Sequence, residues 1–323
     1  MSGRKKLILD LDTGIDDALA LAYALGSPEV ELVGIIASYG NVTLHRAERN
    51  ARAVLEALGH PEVPVFRGAD RALSAEGEFA PSEAVLRIHG SNGLGEQDFC
   101  AAADGWCYSA PRDGMAFLAR SVDAYGDDLL YVPTGPLTNL AMALVREPRL
   151  ARVLPCVTFM GGALAVPGNV TPCAEANIHN DPEAADVALS LGLRLRMIGL
   201  DVTHQAILTR SDTASWREMG TEAGRLYADM TDHYIGIYEQ NNPHMGGCAL
   251  HDPLAVAAAI DPSLVECLRT NLRVDLSGAT RGRTVCDPRR LRDAEKNHEV
   301  ALAVDVPRFL RLFRERVGRA LAS

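Results

Sequence analysis

Four carboxylates fall within eight positions near the start of the chain: Asp10, Asp12, Asp16 and Asp17, in the run Leu7-Ile8-Leu9-Asp10-Leu11-Asp12-Thr13-Gly14-Ile15-Asp16-Asp17. Carboxylates crowded in this way repel one another unless a cation neutralises them. An all-oxygen donor set suits a hard divalent ion such as calcium or magnesium. A single acid at a helix start is an ordinary cap, meeting free N–H groups and the positive end of the helix dipole. Capping accounts for one of the four, so Asp12, Asp16 and Asp17 converging on one turn point to a metal site.

Other groups with the means for chemistry recur downstream. Gly40-Asn41, Pro133-Thr134-Gly135, Met160-Gly161-Gly162, Gly168-Asn169, Glu175-Ala176-Asn177 and His251-Asp252-Pro253 each set a functional side chain or open backbone beside turn residues. Singly they are ambiguous. Asp252 before Pro253 is a common helix start, a lone histidine is more often structural than catalytic, and Glu175 with Asn177 is either a polar loop or a clamp for sugar hydroxyls.

The elements that must position these groups follow from hydrophobic periodicity. Residues 7–11 read as a short buried strand, Thr13-Gly14 as a turn, and Asp16-Asp17 as the first turn of a helix carrying Ala18, Leu19, Leu21, Ala22 and Leu25. Strands are predicted over 30–38, 63–66, 127–134, 153–160 and 193–200, and helices over 43–58, 137–145, 181–191 and 254–260. This alternation predicts an α/β fold: a mostly parallel, open, Rossmann-like central sheet flanked by helices on both faces, with right-handed crossovers. Ligands of such sheets bind beyond the strands' carboxyl ends, where Asp12, Asn41, Thr134 and Met160 fall.

Two segments break the rhythm. Residues 68–112 show little periodicity, include His89-Gly90-Ser91-Asn92-Gly93-Leu94-Gly95, and read as a long functional loop. Residues 210–240 read as helices, followed by a polar loop over 241–247. The tail has strand-like runs at 264–276 and 299–304 and a closing amphipathic helix at 306–321. With no linker, repeat or low-complexity tract, residues 1–323 read as one domain in which 68–112 and 210–247 are active-site segments.

Composition narrows the function. Hydrophobic content of 47% in 323 residues supports a large core, and a net charge of −10 argues against nucleic-acid or membrane-surface partners. The seven cysteines (Cys100, Cys107, Cys156, Cys173, Cys248, Cys267, Cys286) are odd in number and lack any CxxC spacing. They signal neither a disulfide framework nor a zinc site, and a reducing cytoplasm fits best. Arg4-Lys5-Lys6 precedes an apolar run that Asp10 and Asp12 cut short, so the N-terminus reads as a first strand and not a signal peptide. No apolar run is long enough to span a bilayer. A dinucleotide-binding dehydrogenase is excluded, because Asp12-Thr13-Gly14 makes an acidic turn where pyrophosphate needs a GxGxxG cradle. A haloacid-dehalogenase-like phosphatase would use Asp10 and Asp12, but it wants Thr or Val where Gly14 stands and leaves Asp16-Asp17 unexplained.

Taken jointly, Asp12-Thr13-Gly14-Ile15-Asp16-Asp17, Gly40-Asn41, Pro133-Thr134-Gly135, Met160-Gly161-Gly162, Ala174-Glu175-Ala176-Asn177 followed by Asp181-Pro182-Glu183-Ala184, and His251-Asp252-Pro253 resemble the nucleoside hydrolase family of the inosine-uridine-preferring type. The resemblance covers nearly the whole chain, in the family's order, and its opening DxDxGxDD motif is specific. It implies a calcium-dependent enzyme that splits a ribonucleoside into ribose and free base. By that resemblance Asp12, Asp17, the Thr134 carbonyl and Asp252 hold the calcium, and Asp252 also borders the sugar. Asp16 and Asn177 grip the ribose 2′ and 3′ hydroxyls, Asn169 and Glu175 reach the 5′ hydroxyl, Asn41 sits beside the cluster, and Met160 lines the sugar pocket. His89 lies near the base, as does Tyr238 with Tyr234 and Glu239 on the helical segment that closes over it.

Asp12 is then the general base. His251 is the leaving-group acid, with a titration range suited to proton donation near neutral pH. Asp10 becomes a strand-end support for the loop. The chain departs from the common AEFN at Ala176, where an aromatic is frequent, which alters the packing of the sugar pocket and not its polar contacts. Homodimers or homotetramers are the family's habit. A non-catalytic ribose- or nucleoside-binding protein is the rival reading, and it would need neither Asp12 as base nor His251 as acid. The reaction suits the inventory, since breaking an N-glycosidic bond builds positive charge on the ribosyl ring that a nest of carboxylates stabilises.

Overall fold

The computed structural model describes residues 3–99 and 113–322. Cys100, Cys107 and the end of the predicted 68–112 loop lie outside the described residues. In chain order the elements begin β1 (Lys5–Leu11), α1 (Ile15–Leu25), β2 (Val30–Ala37), α2 (Leu44–Ala57), β3 (Val65–Arg67), α3 (Glu83–His89) and α4 (Gly114–Tyr125). There follow β4 (Leu129–Pro133), α5 (Thr138–Arg146), α6 (Leu150–Val153), β5 (Val157–Met160), α7 (Ala176–Asn180), α8 (Pro182–Ser190), β6 (Leu195–Ile198) and α9 (Leu200–Thr203). The rest is β7 (Ile207–Leu208), α10 (Arg210–Glu218), α11 (Glu222–Asn241), β8 (Cys248–Ala249), α12 (His251–Ile260), β9 (Val265–Thr270), β10 (Leu272–Val274), β11 (Thr284–Cys286), β12 (His298–Val304) and α13 (Val306–Leu321).

Two four-stranded ladders, β3-β2-β1-β4 and β5-β6-β12-β9, form the sheet, with β4 packed beside β5. Every pairing in them is parallel except β12 with β9. The order 3-2-1-4-5-6 is doubly wound, and its direction reverses between β1 and β4, where ligands of such sheets bind. The α/β class read from the sequence is therefore the observed one.

Strand β1 shows why its run is apolar throughout. Alternate side chains of a strand point to opposite faces, and both faces here are covered by helices. Leu7, Leu9 and Leu11 join the core containing α1, α12 and α13, while Ile8 joins the core of α4, α5 and α8. Helix α13 contributes Phe309, Phe313 and Val317 at four-residue spacing, one apolar stripe that stacks on Tyr23 of α1 at 6.3 Å between ring centroids. Buried Arg316 on the same helix donates to the Tyr23 hydroxyl at 2.7 Å. Gly26, the C-cap of α1, has to be glycine because a Cβ there would lie 1.9 Å from the Arg316 carbonyl. Among the described residues no helix is long and apolar enough to cross a membrane.

Several boundaries differ from the sequence expectation. Residues 68–112 are not loop throughout: Ser82 caps α3 by accepting from the Val85 N–H, and only His89 of that helix is buried, so no apolar stripe advertised it. The run 264–276 divides at Asn271, with β9 in the main sheet and β10 paired antiparallel to β11. The strand expected over 153–160 begins at Val157, because residues 150–153 make the short turn α6. Residues 207–208 and 248–249, outside every element expected from periodicity, form the small antiparallel pair β7-β8.

Buried His298 joins β12 to β10, its Nδ1 accepting from the Leu272 N–H at 2.7 Å. Burial, assisted by Arg290, pushes its pKa from 6.5 down to about 4. The unfolded chain thus takes up a proton between these values that the folded chain refuses, and stability is lost as pH falls through that window. His298→Asn keeps the acceptor and removes the titration. Between pH 7 and 4.5 the parent should lose about 2–3 kcal/mol more than the variant in urea unfolding. Parallel acid limbs would refute this account.

Candidate active site

The carboxylates of the opening turn separate by partner. Asp10, the last acid within β1, points to the face opposite Leu9 and Leu11, where it accepts from Asn139 Nδ2 at 2.8 Å and from the Tyr131 hydroxyl. Burial raises its pKa to about 7. It braces the strand end, as the sequence suggested. Asp12, just past the strand, accepts from the Asn41 N–H at 2.6 Å and from Asn41 Nδ2 at 3.2 Å. Gly40 and Gly135 frame it closely: a Cβ at Gly40 would lie 1.9 Å from Asp12 Oδ2, and one at Gly135 3.1 Å from Asp12 Cγ. Asp17 is fixed at both oxygens, by the Gly14 N–H at 2.8 Å and the Thr134 hydroxyl at 2.7 Å.

Asp16 and Asp252 are different. Asp16 Oδ1 and both carboxylate oxygens of Asp252 are buried with no hydrogen-bond partner. Helix α12 packs on α1, which brings Asp252 in its first turn to the first turn of α1. Oxygens of Asp16, Asp17 and Asp252 then lie within 4.8 Å of one another. These four aspartates are pushed up by burial first, Asp16 and Asp17 from 3.8 to about 6, and Asp12 and Asp252 well above 3.8. For Asp12 the charges of Asp17 and Asp16 add to burial, and for Asp252 those of Asp16, Asp17 and Asp12 do. Buried, unpaired, hard oxygen donors are what a divalent cation such as calcium completes. Asp16 belongs to the tightest group of three, while Asp12 adjoins it through Asp17.

On one flank lie the groups expected to meet a sugar. Buried Glu175 caps α7, accepting from the N–H groups of Asn177 at 2.9 Å and Ile178 at 3.2 Å, and from Gly162 N–H at 2.8 Å. Asn177 Nδ2 donates to the Thr134 carbonyl at 2.6 Å and the Met160 carbonyl at 3.2 Å. These bonds bring Thr134, Met160, Glu175 and Asn177 into one wall. Asn169 stands exposed on the rim, its Oδ1 accepting from the Ala176 N–H at 3.0 Å. The loop after β5 is clamped further by Asp201, which accepts from the Leu164 and Ala165 N–H groups at 2.9 and 2.7 Å. Asp201 directly follows the strand predicted over 193–200 and opens α9.

Histidines and tyrosines form the opposite flank. His89 Nδ1 accepts from the Ile15 N–H at 3.2 Å, and burial lowers its pKa to about 4. Its ring lies 5.6 Å from Tyr234, which meets Tyr238 edge-on at 4.9 Å. The Tyr238 hydroxyl lies 2.7 Å from His251 Nε2, and the Thr203 hydroxyl lies 2.8 Å from His251 Nδ1. Burial, with His204 and His89 nearby, pushes His251 from 6.5 down to about 3. The ring is therefore neutral in the free protein, unlike the near-neutral titration its residue type suggests. Glu239 points away, exposed and paired with Arg210 at 2.8 Å. Thr203 was missed, since a lone threonine three residues past the strand-like run 193–200 carries no signal of its own.

A doubly wound sheet whose reversal point holds an acidic nest, walled by amides on one side and by histidines and tyrosines on the other, defines an α/β protein with a buried polar site at its strands' carboxyl ends. The family profile described as inosine-uridine preferring nucleoside hydrolase matches residues 7–311, and the chain belongs to that family of N-glycosyl hydrolases. It is 37% identical over 307 residues to the inosine-uridine preferring nucleoside hydrolase of Crithidia fasciculata, covering 94% of this chain and 95% of that one. Identity to a probable uridine nucleosidase 2 of Arabidopsis thaliana is 35% over 321 residues, 97% and 98% of the two chains. Among solved structures, a purine-preferring ribonucleoside hydrolase from Gardnerella vaginalis superposes with a TM-score of 0.95 at 50% identity, over 99% of this chain and 100% of that one.

Proposed function

We propose that the protein hydrolyses the N-glycosidic bond of ribonucleosides, inosine and uridine among them, to ribose and free base, with calcium held by Asp12, Asp17, the Thr134 carbonyl and Asp252. The observation that carries this reading is the set of unpartnered carboxylate oxygens on Asp16 and Asp252 beside Asp12, facing the Tyr238–His251 pair. When bound, calcium neutralises the crowded carboxylates and makes a nearby water more acidic. Asp12 takes the proton from the attacking water, its carboxylate oriented by Asn41. Asp16 and Asn177 hold the 2′ and 3′ hydroxyls, Glu175 and Asn169 the 5′ hydroxyl, and the negative wall stabilises the cationic ribosyl ring. As the base departs, the negative charge growing on it supplies the counter-charge that neutral His251 lacks at rest; the ring, held by Tyr238, takes a proton from solvent and the imidazolium so formed passes that proton to the base, returning to the neutral form.

The relatives' names span purine and uridine preferences, and the 50% identical structure is the purine-preferring one. Inosine is thus the first substrate to try. The same reading has the protein at work in the cytoplasm as a homodimer or homotetramer, the latter open to sedimentation analysis.

A ribonucleoside panel with calcium should release free base and reducing sugar. Chelation should cut turnover at least about a hundredfold and lower the melting temperature, and added calcium should restore both, contributing about 2.7 kcal/mol at a hundredfold excess over its dissociation constant. Inosine bound yet never consumed would favour the binding-protein reading, and indifference to chelation would remove calcium from it.

A further inference from the structure

The four-residue helix α9 reaches both flanks of the site. At its start Asp201 fixes the sugar-side loop, and at its end Thr203, fully buried, lies against His251. We propose that Thr203 is the positioning residue of the leaving-group histidine, its hydroxyl holding the imidazole so that Nε2 faces Tyr238 and the departing base. This inference rests on the proposed role of His251.

Three histidines are buried among the described residues, His89, His251 and His298, and their Nδ1 partners differ in kind. His89 and His298 accept from backbone N–H groups, of Ile15 and Leu272. A backbone N–H can only donate, so it confines the ring proton to Nε2 and disfavours a second proton. His251 instead has a hydroxyl at each nitrogen, Thr203 at 2.8 Å and Tyr238 at 2.7 Å. A hydroxyl donates to a bare nitrogen and, after rotating about one bond, accepts from a protonated one. That pair of partners suits a ring that gains and loses a proton in each turnover without reorienting.

Thr203→Val keeps the shape and removes the hydroxyl, and Thr203→Ser keeps the hydroxyl. The valine variant should lose about tenfold to a hundredfold in kcat on inosine and uridine. Its KM and its hydrolysis of p-nitrophenyl riboside, whose leaving group needs no proton, should stay at the parent's values, and serine should restore the losses. The imidazole 15N shifts of His251 should move in the valine variant and return in the serine one. Equal losses on all substrates, no loss on any, or serine as impaired as valine would overturn the proposal. Should the parent split neither nucleoside nor p-nitrophenyl riboside, the hydrolase reading fails, and unchanged His251 15N shifts in Thr203→Val would then overturn the Thr203 assignment independently. Thr203→Ala carries the same comparison if the valine variant does not fold.

Discussion

Asp12→Asn leaves a folded protein whose turnover of inosine is about a hundredfold to ten-thousandfold below the parent's. The asparagine oxygen can still accept from the Asn41 N–H, and the close fit against Gly40 and Gly135 is preserved, so the loop should keep its shape. What disappears is the carboxylate assigned to take a proton from water in the proposed reaction. A second consequence separates chemistry from folding. Because burial and the neighbouring Asp17 and Asp16 raise the Asp12 pKa above 3.8, ionising it disfavours the folded state, and that penalty grows as pH rises. In chelator at neutral pH the variant should therefore melt above the parent, with the difference shrinking toward pH 4. Steady-state kinetics and thermal melts check both halves; turnover kept within about tenfold would sink the base assignment.

His251→Ala is expected to slow inosine and uridine by about a hundredfold or more while leaving p-nitrophenyl riboside near the parent rate. A nitrophenolate departs unassisted, whereas a nucleobase needs its developing negative charge neutralised. The truncation also strands the Tyr238 and Thr203 hydroxyls, so part of any loss on the activated substrate measures disorder in that wall. The ratio between substrates is the informative quantity. Equal loss on both would make His251 a structural residue of the cleft.

How much of this was legible in the sequence depends on the range of the physics involved. The α/β class followed from runs such as Leu7 to Leu11, because burial on both faces writes an unbroken apolar stretch into the chain. Helix α3 left no such mark: one buried residue makes no periodicity. The split of 264–276 into β9 and β10 was equally invisible, since both halves have strand composition and only their partners differ. The crowding of Asp12, Asp16 and Asp17 is local in sequence and pointed to a cation directly. The further site residues came together in the motif order, and the fold does bring Thr134, Met160, Glu175, Asn177 and Asp252 to the same cleft.

The amino-acid sequence by itself determined the sheet, the acidic turn and the family, because periodicity, charge density and motif order are properties of neighbouring residues. Tertiary structure alone decided which acids are left without partners, that Asp10 turns to the opposite face, that Glu239 points to solvent, and that His251 rests neutral between two hydroxyls. Hydrogen-bond partnership and desolvation depend on groups from β1, α9, α11 and α12 meeting in space, and the energy of a buried charge is set by that meeting, not by its place along the chain.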